Sequence, residues 1–414
     1  ADRKTLLHLY RALVRSKLDY GSIVYGSARP SYLKTLDPIH HQGLRLCLGA
    51  FRTTPVHSFY AEAGEPSLTH HLLKLSLNYY IKLFSEPTNP AYDCVMNPCF
   101  QEKFQENPNS IPPLGIRILP HLEQADVHLG VVSDFSKFPD DPPWKFKTPI
   151  VRFDLTYYKK ESTSTLVYKT VYGELCQSFP NFQRIFTDGS KSAEGVACAA
   201  VSPSSGNSFL SERIPNDGSI YTAELKALFL AMGLVRKSKG KNFLVLSDSL
   251  SALEAISHRN INHPVLMDFF ELFTSLTNEG FNIVFAWIPG HAGIRGNEMA
   301  DQMAKSATKK KISSTRIPFS DVKPKVQTYL KKLWQEDWNS KTENKLFQIR
   351  PNLDDFLPSG SGIRREETVL CRLHTGHYFV IHSYLLKGEE APWYVPCHER
   401  LTIKHILMEC WDVH

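Results

Sequence analysis

The chain has 414 residues, 42% of them hydrophobic and 22% charged, the proportions of a soluble globular protein with room for two or three domains. A core of that size excludes a small disulfide-held scaffold, and no run approaches the roughly 18 uninterrupted apolar residues that a helical membrane span needs. The net charge of +6 permits a polyanionic partner without demanding one. Asp2 and Arg3 ahead of an amphipathic helix do not form a signal peptide. The eight cysteines show no framework spacing, and several lie in apolar runs such as Leu44-Arg45-Leu46-Cys47-Leu48, so reduced thiols in an intracellular protein, cytoplasmic or nuclear, are expected. The chain opens in what reads as helix at Ala1, which suits a fragment of something longer.

Residues 1–87 show helical periodicity, with Leu6, Leu9, Tyr10 and Leu13 early and Leu72, Leu73, Leu75 and Leu77 late, punctuated at Tyr25-Gly26-Ser27 and Gly64-Glu65-Pro66. A small helical domain is expected there. Residues 88–179 turn proline-rich, with Ile111-Pro112-Pro113 and Phe138-Pro139-Asp140-Asp141-Pro142-Pro143, and read as a connector with little regular structure between about 87 and 149.

Over 180–311 the register becomes α/β. Residues 184–188, 195–202 and 207–214 read as three hairpin-linked strands, followed by a helix over 221–237, a strand over 243–247, a short helix to about 257, a helix over 264–278, a strand over 281–287 and a last helix over 297–308. That order predicts a mixed five-stranded sheet with helices on its faces. Residues 312–414 hold a helical run over 326–338, a Gly/Ser link at 359–362 and a tail bearing Cys and His.

Four acids in the α/β stretch stand where a strand ends or on the apolar face of a helix: Asp188, Glu224, Asp248 and Asp301. Burying an acid there is costly unless a cation compensates it. A lone Asp before Gly-Ser is commonly a turn residue, and Asp248-Ser249 is also a good helix N-cap; the joint pattern points instead to metal. Hydrolysis of a phosphodiester needs a deprotonated water behind phosphorus and neutralised charge on the leaving oxygen. Two divalent ions about 4 Å apart do both, and three or four carboxylates hold such a pair. His291, in Trp287-Ile288-Pro289-Gly290-His291-Ala292-Gly293, follows a strand of the same sheet and suits proton transfer, although a loop histidine alone is most often a surface residue.

The segments around Asp188-Gly189-Ser190, Glu224, Asp248 and Gly290-His291-Ala292-Gly293 through Asn297-Glu298-Met299-Ala300-Asp301 resemble, in order and spacing, the type 1 ribonuclease H family. The resemblance implies an α/β ribonuclease H-like fold, with helical regions on either side in this chain, and endonucleolytic cleavage of the RNA strand of an RNA·DNA hybrid with Mg²⁺ or Mn²⁺. It makes Asp188, Glu224, Asp248 and Asp301 the metal ligands, gives His291 proton transfer or product release, and sets Gly189, Ser190 and Asn297 against the nucleic acid. Only RNA offers the 2′-hydroxyl by which the two strands are told apart, and backbone contacts give sequence-tolerant cutting. The positively charged extra helix of some family members is absent: Arg236-Lys237-Ser238-Lys239-Gly240-Lys241 is a short basic link, best read as a solvated helix end.

Leu13-Val14-Arg15-Ser16-Lys17-Leu18-Asp19-Tyr20-Gly21 and residues 36–46 resemble the region after the polymerase core in jockey-like non-LTR retrotransposon reverse transcriptases of arthropods. That implies a thumb-like region whose polymerase core lies upstream in the full element, with Arg11, Arg15, Lys17, Lys34, Arg45 and Arg52 available to phosphates, or simply an exposed helix face. Phe138-Pro139-Asp140-Asp141 imitates the aromatic-x-Asp-Asp polymerase box, but its prolines remove the hairpin such a box requires. In the tail, Cys397, His405 and Cys410 fit the latter part of the zinc knuckle often carried by such elements. Tyr394 stands in the place of the first cysteine and His398 is an awkward substitute, so a degenerate, metal-free knuckle is expected. A cellular ribonuclease H and a non-catalytic nucleic-acid-binding remnant are the alternative readings.

Overall fold

The computed structural model describes residues 1–99, 101–106, 110–134, 142–158, 163–203, 208–354 and 362–411. The segment 138–141 and most of the 359–362 link lie outside them. The chain divides into two compact units: Ala1–Tyr80 with Asp93–Val127 and Pro324–His414, and Ile81–Tyr92 with His128–Lys323. No helix among the described residues is long and apolar enough to cross a membrane.

The second unit is built on one sheet. Its strands are β1 (Ile150–Arg152), β2 (Gln183–Ser192), β3 (Gly195–Ser202), β4 (Ser208–Ile214), β5 (Asn242–Ser247) and β6 (Asn282–Trp287), in the order β1-β6-β5-β2-β3-β4. β1, β6, β5 and β2 run parallel, while β2-β3-β4 form an antiparallel meander. Six strands therefore stand where five are expected. The extra one, β1, is three residues long, follows Pro149 and offers no alternation to read; its pairing with Val284, Phe285 and Ala286 makes it a strand.

Five helices accompany the sheet: α1 (Thr165–Gln177), α2 (Ile220–Lys237), α3 (Leu250–Ser257), α4 (Pro264–Asn278) and α5 (Arg295–Ala307). Alternation along each strand sends successive side chains to opposite faces. Ile185, Val245 and Phe285 meet Leu228, Met232, Leu253, Phe269 and Phe273 of α2, α3 and α4 on one face. Phe186, Leu246 and Val284 meet Tyr168 and Leu175 of α1 and Ala300 of α5 on the other. β3 is buried throughout, and its Ala197, Ala199 and Ala200 are small enough for α2 and α5 to approach from both sides. The Ser219 hydroxyl caps α2 by accepting from the Thr222 amide at 3.0 Å.

The first unit is helical, as its periodicity implies. Residues near both ends of the chain share a core, in which Cys371 packs with Leu7, Tyr10, Leu44, Leu48 and Phe59. Arg3 pairs with buried Glu62 at 3.0 Å, and its amide donates to Glu367 at 2.7 Å. Within the stretch expected to lack regular structure, helices occupy Tyr92–Met96, Gln101–Glu106 and Leu114–Gln124. Pro112 and Pro113 come just before the last of these, where a missing N–H costs nothing. Of the basic groups offered to phosphate, Arg11 and Arg15 both pair with Glu65, and Arg45 lies over the Phe59 ring at 4.9 Å.

Phe285 is fully buried, with its ring 5.7 Å from Phe269 and 5.9 Å from Phe273. Phe285→Ala is expected to lower the stability of the sheet-bearing unit by about 3–5 kcal/mol, read as a lower denaturant midpoint in equilibrium unfolding.

Candidate active site

Asp188 lies within β2, opposite Ala199, and not at its end. The strand-end expectation holds only for the parallel pairing with β5, which stops at Thr187; the antiparallel hairpin with β3 carries β2 on to Ser192. Asp188 is thus the first residue past the parallel ladder, held by β3 on one side and open toward the ends of β5 and β6. Asp248 is the first residue after β5. Glu224 projects from the second turn of α2, which lies so close to β2 that a Cβ on Gly189 would come within 2.8 Å of the Glu224 amide nitrogen. Glycine at 189 is what permits that approach.

These placements bring oxygens of Asp188, Glu224 and Asp248 within 4.8 Å of one another. Asp188 and Glu224 are only 6% and 8% exposed. One Glu224 oxygen, Oε2, is buried without a hydrogen-bond partner among the described residues. Burial, reinforced by the Asp248 and Asp301 charges, raises the Asp188 carboxyl to about 8. Burial, with Asp188 and Asp248 adding to it, raises Glu224 to about 9, against a backbone hydrogen bond from Gly189. Burial also raises Asp248, opposed first by its bond with Asn297. Three acids that resist ionising together in so small a volume form a donor set suited to a hard divalent cation.

Asp301 lies outside this group of three. It is half-buried on α5 and accepts from Lys305 Nζ one turn on, at 2.8 Å. Asn297 is 3% exposed; its Nδ2 donates to Asp248 Oδ2 at 3.2 Å, and its Oδ1 is buried without a partner among the described residues. His291 is exposed on the loop between β6 and α5, in the left-handed region at φ 58°. Ser190 is buried in β2 opposite Ala197, and Gly189 faces Cys198. Two contacts escaped the sequence. Trp287 Nε1 donates to the Asp248 carbonyl at 3.0 Å, which no local pattern announces, whereas Lys305 stands four residues after Asp301, a spacing that marks a helical ion pair.

In the first unit, Cys397, His405 and Cys410 also converge, with one donor atom of each within 4.8 Å of the others and the two sulfurs 3.5 Å apart. A hairpin of Trp393–Tyr394 and Glu399–Arg400 presents Cys397 in its turn, and a short helical turn, His405–Glu409, precedes Cys410. His405 is 5% exposed, and its Nε2 is buried without a partner among the described residues. His398 is exposed in the hairpin turn at φ 52° and does not join the group.

The RNase H family model matches residues 181–309. Solved structures similar to the chain include the N-terminal RNase H domain of a Mycobacterium tuberculosis protein, determined as a fusion with maltose-binding protein. It is 21% identical, with a TM-score of 0.26, over 30% of this chain and 99% of that one. RNase H1 from the halophilic archaeon Halobacterium salinarum is 20% identical, with a TM-score of 0.25, over 30% of this chain and 96% of that one. No curated protein matches the chain. Residues 181–309 form an RNase H domain with the mixed sheet and flanking helices of that fold.

The raised carboxyls carry a sign for stability. A carboxyl whose folded pKa lies above its unfolded value stabilises fully below the ordinary carboxylate range, and that contribution is lost as pH rises through the folded value. With divalent ions chelated, thermal melts should therefore show a contribution that declines from about pH 4 through about 8 to 9, the values for Asp188 and Glu224. Asp188→Asn and Glu224→Gln should each flatten the decline, and added Mg²⁺ should restore most stability at the alkaline end.

Proposed function

We propose that residues 181–309 are an endonuclease that hydrolyses the RNA strand of RNA·DNA hybrids and belong to the reverse transcriptase of a jockey-like non-LTR retrotransposon. The observation that carries the hydrolase reading is the convergence of Asp188, Glu224 and Asp248 within 4.8 Å in a segment matching the RNase H family. The retroelement reading rests on the sequence resemblance of the flanking segments.

The orphaned Glu224 Oε2 and the raised carboxyls fit divalent metal, which Asp188, Glu224, Asp248 and Asp301 would hold. When bound, two Mg²⁺ or Mn²⁺ ions supply an ionised water and neutralise charge on the scissile phosphate and leaving oxygen. The chain's own groups do the rest. Asn297 and Trp287 fix Asp248 from its side chain and its carbonyl. Lys305 holds Asp301 at the rim, where a surface ion pair is weak enough to exchange for a metal contact. His291, exposed beside Asp248, takes a proton from the attacking water and delivers one to the departing 3′-oxygen, leaving a 5′-phosphate on the other product, or aids product release. Gly189 and Ser190, next to Asp188, border the RNA strand, where the 2′-hydroxyl gives discrimination.

We read the cluster in the first unit as a three-donor zinc site, which revises the metal-free expectation. The support is the buried, unpartnered His405 Nε2 beside two thiols. Cys and His donors suit zinc, and three of them leave one coordination position open.

Two measurements test these readings. The purified chain, given end-labelled RNA·DNA hybrid, RNA duplex and DNA duplex, should cut only the RNA of the hybrid, in Mg²⁺ and not in chelator, and Asp188→Asn should lower the rate at least about a hundredfold. Intact hybrid in Mg²⁺, or equal cutting by the variant, would overturn the hydrolase; hybrid bound but uncut would favour the non-catalytic remnant. Elemental analysis should find about one zinc per chain, lost in Cys410→Ser, with metal-free protein refuting the site.

A further inference from the structure

The loop Gly290-His291-Ala292-Gly293 is enclosed from both sides. At one end, a Cβ on Gly290 would lie 2.6 Å from Asp248 Oδ2. At the other, Gly293 adopts φ 72°, and a Cβ there would lie 2.6 Å from Lys169 Cε and 2.7 Å from its Nζ. The loop that carries His291 is therefore packed between a carboxylate of the acid cluster and the ammonium of Lys169. Lys169 is exposed and, among the described residues, has no ion-pair or hydrogen-bond partner.

Its position is set by the fold. The preceding residue, Tyr168, is 2% exposed and donates to the Tyr158 carbonyl at 2.8 Å. Tyr168 and Leu175 anchor α1 in the same core as Ile288, Ala292 and Ile294, the apolar residues of the loop and its end. α1 precedes the segment 181–309 matched by the family, so this cation is an addition made by residues ahead of the matched domain.

The basic link 236–241 is poorly placed to take a phosphate at this end of the sheet. It precedes β5, whereas Asp248 follows that strand, and six strand residues separate the two ends by about 20 Å. Lys305 pairs with Asp301 so long as Asp301 makes no metal contact. A pocket of clustered carboxylates repels a polyanion, and an unpaired cation beside it offsets that repulsion.

We infer that Lys169 is a substrate-positioning residue: its ammonium takes a backbone phosphate of the bound hybrid on the far side of the His291 loop from Asp248. This rests on the hydrolase reading for its substrate, and it gives α1 a role in binding that hybrid. One phosphate contact contributes about 0.9 to the slope of log affinity against log salt.

The test measures hybrid binding by the full chain carrying Asp188→Asn, in Mg²⁺, over a series of KCl concentrations, with and without Lys169→Gln or Lys169→Arg. Lys169→Gln should weaken binding on the order of five- to tenfold near 0.1 M salt and make the slope shallower by about 0.9, and Lys169→Arg should restore both. With Asp188 intact, Lys169→Gln should raise KM and leave kcat unchanged. An unchanged slope and affinity, or no hybrid binding at all, would overturn the inference. Cleavage by the unaltered chain with an unchanged Lys169→Gln slope sinks Lys169 alone, whereas failure of the unaltered chain to cut hybrid sinks the hydrolase reading, and the binding series still reports on the contact. A melting temperature unchanged by Lys169→Gln, expected for an exposed side chain, separates lost contact from lost fold.

Discussion

Burial and mutual repulsion of clustered carboxylates together govern the site in this molecule's second unit. Asp188, Glu224 and Asp248 occupy a space in which three full negative charges are unfavourable without a cation, and burial is the first cause of the raised pKa of each. Such an arrangement persists only if the backbone that imposes it is more stable than the repulsion is costly. The core on both faces of the sheet meets that condition: Phe269, Phe270 and Phe285 on one side and Leu246, Ala286 and Ala300 on the other are fully buried.

The topology supplies the precision. β2 is the strand where parallel pairing with β5 gives way to antiparallel pairing with β3, and Asp188 occupies the first position past the parallel ladder. Ligands in open α/β sheets gather beyond the carboxyl ends of strands, where strand order changes direction. Here the strand itself runs on, so the acid is gripped by β3 and held more firmly than a loop residue would be. Gly189 lets α2 close down and bring Glu224 to the same place.

The strands and helices between Gln183 and Ala307 were legible because alternation and helical periodicity were strong there, and five of the six strands fall within a few residues of their expected bounds. β1 was not legible: Ile150, Val151 and Arg152 are too few to display a period, and only Val284, Phe285 and Ala286 across the gap define them as a strand. The helices after Pro113 and before Phe179 were hidden by a composition that reads as connector, although proline ahead of a helix is compatible with its start. The acids could be found by their neighbours in sequence. That three of them form the compact group while Asp301 pairs with Lys305, and that Asn297 is buried against Asp248, depends on how α5 lies over β2 and β3, which sequence spacing does not specify.

β1 also changes where an autonomous piece of this protein begins. A chain started at residue 181, the first residue matched by the family, would keep β6 paired with β5 but leave its outer edge open along Val284, Phe285 and Ala286, and would remove Leu155, Tyr168 and Leu175 from the core on that face. An open, apolar edge strand is a template for pairing with another chain. The short strand and helix ahead of the matched segment cover that edge and that face.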